Sequence, residues 1–107
     1  MRYILNSAVI TTPGTYEYRL IETGEAISWL SSEFISTIGY QETADALASI
    51  AGRHIPVNRK MIKMEACDEA LVFRLTVRLT DPTVKGRIND RNWIIENSEI
   101  GILRKLN

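Results

Sequence analysis

Residues 70–79 read Ala-Leu-Val-Phe-Arg-Leu-Thr-Val-Arg-Leu, and they form the clearest strand pattern in the chain. Every second residue from Leu71 to Leu79 is apolar, whereas Arg74, Thr76 and Arg78 occupy positions between them. Successive side chains of a β-strand point to opposite faces of the sheet. The pattern therefore predicts a strand in a sheet that has one packed face and one polar face.

The segments on either side of this strand show further strand and helix patterns. Short apolar or alternating runs predict four more strands, at Tyr3–Leu5, Tyr16–Ile21, Phe34–Ile38 and Ile100–Leu106. Apolar residues at helical spacing predict three helices, at Gly24–Ser32, Gln41–Ala51 and Ile88–Glu96. Thr23 is the expected N-cap of the first helix, and Gly52 is the expected end of the second. Together these elements predict one α+β domain over residues 1–107, with a mixed sheet of about five strands flanked by helices.

The composition is that of an ordinary globular protein. Of the 107 residues, 45% are hydrophobic and 24% are charged, which is enough to form a core without disulfides or metals. The 13 basic and 13 acidic residues cancel, so the chain as a whole is not attracted to DNA or to an anionic membrane. No apolar run approaches the roughly 20 residues that span a bilayer. The first residues, MRYILNS, lack the pattern of a signal peptide. We therefore expect a cytoplasmic protein without a membrane partner.

The single cysteine and the single histidine offer little for catalysis. Cys67 lies in an acidic stretch, which disfavours the reactive thiolate, and it has no second cysteine for a disulfide. His54 follows a predicted helix and has no Ser, Cys or acidic residue at a telling spacing. We interpret it as structural or exposed. The sequence also lacks a Cys/His cluster, a phosphate-binding glycine loop and a nucleophile elbow, and we expect neither a metal nor another cofactor.

The turn from the third strand into the second helix, residues 38–43, is the first candidate site. A helix that starts directly after a strand exposes unpaired backbone N–H groups at the positive end of its dipole, and these groups can bind an anion. Gly39 would let a ligand approach the backbone closely. The alternative is an ordinary strand-to-helix connection, because most such ends bind only water.

Arg78 and Asp81 form the second candidate site. Arg78 lies at the end of the predicted strand, where its guanidinium can bind a phosphate through two hydrogen bonds. Asp81 can orient this arginine or a ligand hydroxyl. The alternative is a solvated face on which Arg74 and Arg78 pair with neighbouring acids.

A basic stretch follows the second helix. Pro56 prevents a helix and favours an extended segment from Val57 to Met64. The basic residues of this region are Arg53, Arg59, Lys60 and Lys63. Charge on an exposed extended segment usually serves solubility, and we interpret these four residues in that way.

Taken in order, short motifs along the chain resemble one known family. They are Leu5-Asn6-Ser7, Phe34-Ile35-Ser36-Thr37-Ile38-Gly39, Thr43-Ala44, Ile55-Pro56-Val57-Asn58-Arg59, Met64-Glu65, Asp68-Glu69-Ala70-Leu71-Val72, Arg78-Leu79 and Gly101-Ile102-Leu103. This ordered set resembles the viral type III anti-CRISPR ring nucleases, a family that also occurs in phages, plasmids and integrative elements of bacteria. The resemblance runs nearly end to end, and no single motif is diagnostic.

The resemblance implies a homodimer whose two subunits enclose cyclic tetra-adenylate, a second messenger of type III CRISPR defence. Ring nucleases open this ligand without a metal, by attack of a ribose 2′-hydroxyl on the adjacent phosphate. Such a reaction needs an in-line hydroxyl, stabilisation of the phosphorane charge, and a proton for the departing 5′-oxygen.

The resemblance also implies roles for particular residues. The family's general acid is a histidine directly after the turn glycine, and here Tyr40 occupies that position. A phenol, with a reference pKa of about 10, is a poorer proton donor near neutral pH than an imidazole, although its ring can stack on adenine. Arg78 matches a phosphate-contacting arginine, and Asp81 stands where the viral enzymes have a glutamate. The implied ligand-binding residues are Asn6, Ser7, Gly39, Gln41 and Thr43.

Three functions therefore stay open at this stage. The chain sequesters a cyclic oligoadenylate, or it cleaves this ligand, or it is a non-catalytic dimeric interaction or nucleic-acid-binding protein of a virus or mobile element. The balanced charge argues against long nucleic acid, because binding to its phosphates needs a surplus of Lys and Arg on the contacting face. A dimer could still assemble a basic stripe from Arg53, Arg59 and Lys63.

Overall fold

The computed structural model describes residues 1–6, 12–76 and 91–107. Within these ranges the chain forms five strands and three helices. The strands are β1 (Arg2–Leu5), β2 (Tyr16–Leu20), β3 (Ile35–Ser36), β4 (Glu69–Leu75) and β5 (Ser98–Lys105). The helices are α1 (Thr23–Leu30), α2 (Gln41–Ala51) and α3 (Arg91–Glu96). The predicted α+β fold with a mixed five-stranded sheet is confirmed for the part of the chain that is described.

The sheet has the strand order β2-β5-β4-β1-β3. Strand β1 pairs in parallel with both β4 and β3, whereas β5 pairs antiparallel with both β4 and β2. Parallel strands end at the same edge of a sheet. The residues that follow β1 and β3 therefore meet at one edge, and these residues include Asn6 and Gly39.

Both faces of β4 are buried where the strand begins. Leu71 and Phe73 face the three helices and belong to the larger hydrophobic core. Ala70 and Val72, on the opposite face, are also fully buried. They lie in a second cluster with Met64 and Leu103, against which Tyr3, Leu5, Tyr16 and Ile62 pack. The predicted polar face is correct at Arg74 and Thr76, which are exposed, but it does not extend back to Ala70 and Val72, which pack against the segment after Pro56. Residues 77–79 of the predicted strand lie outside the described ranges.

The helix predictions hold with small changes of boundary. Helix α2 coincides with its predicted range, and Gly52 ends it in the left-handed conformation at φ 70°. Helix α1 begins at Thr23, so the prediction of Thr23 as its N-cap is wrong. Glu22 is the N-cap instead, because its backbone oxygen already accepts the first helical hydrogen bond, from Ala26 at 3.1 Å. Ile94 of α3 is buried as predicted. In the described ranges, every helix is too short or too polar to traverse a bilayer.

Strand β3 is shorter than predicted because side-chain hydrogen bonds replace part of its backbone pairing with β1. The backbone N–H of Thr37 still donates to the oxygen of Ile4 at 3.0 Å, but the Thr37 hydroxyl donates to the same oxygen at 2.7 Å. The hydroxyl of Ser36 accepts a hydrogen bond from the N–H of Ile38 at 3.3 Å. These local bonds replace regular pairing and turn the chain towards α2.

Gly52 and Gly24 form a matched pair for a test of backbone conformation. A Cβ atom at either glycine would meet nothing within 4 Å, but only Gly52 has a positive φ. We expect Gly52→Ala to lower the free energy of unfolding by about 1 kcal/mol, because alanine disfavours the left-handed region. Gly24→Ala, inside α1, should raise it by about 0.5–1 kcal/mol. Urea denaturation followed by tryptophan fluorescence measures both changes, and effects of the same sign would contradict this account.

Candidate functional site

A pocket of about 520 Å³ opens where β1 and β3 end. It lies on the sheet face that the second hydrophobic cluster covers, opposite the three helices. Its floor is apolar and is formed by Leu5, Ile62, Met64 and Leu103. Polar and aromatic residues surround this floor: Asn6, Thr12, Tyr16, Thr37, Tyr40, Arg59 and Lys60. The arrangement suits a ligand that has both an apolar or aromatic part and a polar part.

The segment after Pro56 reaches the pocket because it is bonded along β3. Asn58 donates its backbone N–H to the oxygen of Ile38 at 2.9 Å, and its side-chain amide donates to the oxygen of Ser36 at 2.8 Å. The hydroxyl of Ser36 in turn donates to the oxygen of Pro56 at 2.7 Å. These three bonds place the next residue, Arg59, beside the turn at Gly39.

Arg59 lies directly across Gly39. A Cβ atom at Gly39 would be 3.0 Å from both Cγ and Cδ of Arg59, so only glycine leaves ordinary space for the arginine stem. The guanidinium carbon lies 5.7 Å from the centre of the Tyr40 ring, within the range of a cation–π contact. Tyr40 is nevertheless 50% exposed, and its ring is accessible to a ligand. The sequence predicts that a ligand approaches Gly39 closely, and this stays a prediction; in the structure the stem of Arg59 lies there.

The rim of the pocket carries positive charge. Arg59 and Lys60 both line it, and in the described part of the chain neither forms an ion pair with a carboxylate. Tyr40 is the N-cap of α2, and no side chain caps this helix, so its first backbone N–H groups add partial positive charge. The rim therefore carries positive charge from Arg59 and Lys60, whereas Glu42 in the first turn of α2 offsets part of the charge at the helix end.

Hydrogen bonds also fix the wall that Thr12 and Tyr16 form. The Tyr16 hydroxyl donates to the backbone oxygen of Thr12 at 2.8 Å, and the Thr12 hydroxyl donates to the oxygen of Met64 at 3.1 Å. These bonds join the turn before β2 to the segment after Pro56. Tyr3, next to the pocket floor, is a poor proton donor because burial, and then the charges of Asp68 and Glu65, raise its pKa.

The structure brings together three of the residues predicted from the sequence. Asn6, Gly39 and Tyr40 line one pocket. Gln41 and Thr43 belong to α2 and do not line it, and the Gln41 amide donates to Asp45 Oδ1 at 2.8 Å. The other three predicted site residues lie outside the described ranges: Ser7, Arg78 and Asp81.

Arg59 and Lys60 are pocket residues that the sequence pattern does not predict. Their interpretation as solubility residues stays a prediction, since both are exposed and both line the pocket. Lys63 is exposed and does not line the pocket. The sequence feature that could have indicated a role in binding is the absence of any acidic residue between Arg53 and Met64.

The single histidine and the single cysteine lie away from this pocket. His54 and Cys67 are both exposed, and neither lines it. Over residues 1–6, 12–76 and 91–107, no group of three or more His, Cys, Asp or Glu residues could hold a metal ion.

Three proteins are similar to this chain in sequence. Protein 26 of Sulfolobus islandicus filamentous virus is 36% identical over 99 residues, which covers 88% of this chain and 84% of that protein. Protein ORF117 of Acidianus two-tailed virus is 31% identical over 94 residues, covering 82% and 80%. YddF of Bacillus subtilis strain 168 is 35% identical over 77 residues, covering 69% and 71%.

A solved structure and a family model agree with these relatives. B116 of Sulfolobus turreted icosahedral virus has a TM-score of 0.72 and covers 96% of this chain and 97% of its own, at 19% identity, which shows a common fold. The model of the STIV B116-like family matches residues 2–94. The chain therefore belongs to the STIV B116-like family.

Proposed function

We propose that two copies of this chain bind a cyclic oligoadenylate of the cyclic tetra-adenylate type and remove it from type III CRISPR signalling, by sequestration or by metal-independent cleavage. The observation that carries this proposal is the pocket at the Gly39 turn. An accessible aromatic ring, two cations and an apolar floor are the groups that bind the base and the phosphate of a nucleotide. The resemblance to ring nucleases supplies the identity of the ligand.

Arg59 is the residue best placed to hold a phosphate. Its stem packs against Gly39 and its guanidinium rests near the Tyr40 ring, so part of its conformational freedom is already lost before a ligand arrives. A guanidinium can also donate two parallel hydrogen bonds to one phosphate. Lys60, the next residue, adds a second charge at the same rim.

One pocket has enough binding groups for only part of a cyclic tetranucleotide. The ligand has four phosphates and four bases, whereas the described pocket offers the cations Arg59 and Lys60 and the exposed ring of Tyr40. A second copy of the chain doubles these groups. Met61 lines the same pocket and is 87% exposed, which provides an apolar contact for that copy or for a base. The proposal therefore includes a homodimer with the ligand between its subunits.

Cleavage of the ring requires these residues to stabilise negative charge and to donate a proton. The ribose 2′-oxygen forms a bond to phosphorus, the bond from phosphorus to the 5′-oxygen breaks, and the products are a 2′,3′-cyclic phosphate and a 5′-hydroxyl. Arg59 is suited to stabilise the charge that develops on the phosphorane. Tyr40 is the candidate donor of the proton to the departing 5′-oxygen. A phenol is weakly matched to this task near neutral pH, so we expect slow turnover or sequestration.

A dimeric interaction or nucleic-acid-binding protein is the second candidate function. The stretch from Arg53 to Lys63 favours it, because this stretch contains no acidic residue. However, Arg53 donates to the backbone oxygen of Leu30 at 2.8 Å and lies 4.8 Å from the centre of the Phe34 ring. Its guanidinium is thus engaged within the fold. A gel shift with duplex DNA at low salt tests this candidate, and the absence of a shift would exclude duplex binding.

Capture of the ligand tests the proposed function directly. Excess protein is mixed with cyclic tetra-adenylate, free ligand is removed by filtration, the protein is heat-denatured, and the released nucleotide is identified by mass spectrometry. We expect the protein to retain nucleotide, either as an intact ring, which indicates sequestration, or as opened products, which indicate cleavage. Linear tetra-adenylate serves as the control ligand. If the ring is neither retained nor cut, the proposal is wrong.

Replacement of Arg59 should weaken the binding of cyclic tetra-adenylate. We expect Arg59→Ala to raise the Kd at least ten-fold, because a charged hydrogen bond contributes about 1.5–3 kcal/mol. Lys63→Ala is the matched control, since Lys63 belongs to the same basic segment but does not line the pocket. Isothermal titration calorimetry measures both variants, and equal losses would show that overall charge, not the pocket, governs binding.

Replacement of Tyr40 separates binding from chemistry. If its hydroxyl donates the proton, Tyr40→Phe should lower the single-turnover cleavage rate by about 10²- to 10⁴-fold. The Kd should change little, because the ring remains. Tyr40→His should raise the rate, since an imidazole with a reference pKa of about 6.5 is better matched to neutral pH. A Tyr40→Phe variant that cleaves as fast as the original protein would remove Tyr40 from the mechanism.

A further inference from the structure

Lys105 is a buried cation behind the pocket. It is only 8% exposed, and its ammonium donates to the backbone oxygen of Pro13 at 2.7 Å. The ammonium also lies 3.5 Å from the Thr12 hydroxyl and 5.6 Å from the centre of the Tyr16 ring. No carboxylate in the described residues forms an ion pair with it. A buried charge is costly unless a partner compensates it, so this position calls for an explanation.

The sheet places Lys105 against one wall of the pocket. Lys105 stands opposite Tyr16 in the ladder between β2 and β5, and Tyr16 and Thr12 both line the pocket. Leu103, two residues earlier in β5, lies on the same face and belongs to the pocket floor. Arg104, between them, points to the other face and is exposed. Lys105 therefore projects from the same sheet face as the pocket floor, behind Thr12 and Tyr16, and does not itself line the pocket.

The surroundings of Lys105 hold its side chain in place. Gly14 lies against it, and a Cβ atom there would be 2.8 Å from Lys105 Cε and 2.5 Å from the backbone oxygen of Asn107. Gly14 has a φ of 149°, a conformation that residues with a side chain rarely adopt. The turn at Pro13-Gly14 therefore wraps closely around the lysine.

We propose that Lys105 determines the preference of the pocket for anions. Its charge acts across the wall formed by Thr12 and Tyr16, and an anion in the pocket adds a negative charge near a lysine that forms no ion pair with a carboxylate of the described residues. Lys105 is a positioning and specificity residue, since Thr12 and Tyr16 stand between it and the ligand. The inference rests on the pocket of the proposed function being a ligand site, but it does not depend on which anion the pocket binds.

The test uses inorganic phosphate as the probe. Phosphate is titrated into the ¹⁵N-labelled full chain, and the amide resonances of Gly39 and Tyr40 report its binding. We expect a saturable shift, and Lys105→Met should raise the Kd about three- to ten-fold, as expected for the loss of one nearby charge. Lys105→Arg should restore binding to within about two-fold, because it retains the charge. Arg104→Met removes the same charge from the opposite face and should leave the Kd unchanged.

The Lys105→Gln variant distinguishes an effect of the lysine charge from structural support of the wall formed by Thr12 and Tyr16. Glutamine retains a hydrogen-bond donor but has no charge, so its phosphate binding should resemble that of Lys105→Met. If Lys105→Gln binds phosphate like the original protein, Lys105 only supports the wall, and the inference is wrong. Unchanged binding in Lys105→Met, or no saturable shift in the original protein, also overturns it. If Lys105→Met fails to fold, the comparison of Lys105→Gln with Lys105→Arg decides.

The two proposals fail in different ways. Phosphate binding that depends on Lys105, without capture of cyclic tetra-adenylate, would remove the proposed function and leave this inference. Capture of cyclic tetra-adenylate, with phosphate binding that is insensitive to Lys105, would do the reverse.

Discussion

The parallel pairing of β1 with β3 is the constraint on which the site depends. It sends the two chain segments that follow these strands out at one edge of the sheet, so that Asn6 and Gly39 line the same pocket although they are far apart in sequence. The pairing is only two residues long, and the Thr37 hydroxyl strengthens it by adding a second hydrogen bond to the oxygen of Ile4. The same short strand then binds the segment after Pro56 through Ser36. A weak strand thus organises three parts of the site.

The apolar floor of the pocket is part of the second hydrophobic cluster. Met64 and Leu103 are nearly buried and pack with Val72 of β4, yet both also line the pocket. The segment that covers this face of the sheet leaves one area open, and that area is the pocket. Under the proposed function, fold stability and binding therefore depend on the same side chains. A polar substitution in the floor would then reduce both, whereas a substitution of the rim residues Arg59 or Lys60 would reduce binding with less effect on the fold.

The sequence predicts the parts of the structure that depend on local patterns. The spacing of apolar residues and the glycine at position 52 locate α2. The glycine between the predicted third strand and α2 marks the turn at Gly39 and Tyr40, and both residues line the pocket. Arg59 escapes prediction because its position depends on hydrogen bonds between Asn58 and Ser36, which are 22 residues apart. Lys105 escapes for a similar reason: a lysine near the end of a strand usually lies in solvent, and only the turn at Pro13-Gly14 buries it. Tertiary contacts, which no local pattern encodes, decide both cases.

The contact between Arg59 and Tyr40 bears on the choice between sequestration and cleavage. A neutral phenol ring attracts the guanidinium, and such contacts contribute about 0.5–1 kcal/mol at exposed sites. A protonated imidazole in the same place would repel it. Under the proposed function, tyrosine therefore keeps Arg59 in position for a phosphate but supplies a proton poorly, whereas histidine would supply the proton and loosen the arginine. If the proposed function holds, the residue at position 40 thus sets the balance between retention of the ligand and its cleavage, and tyrosine favours retention.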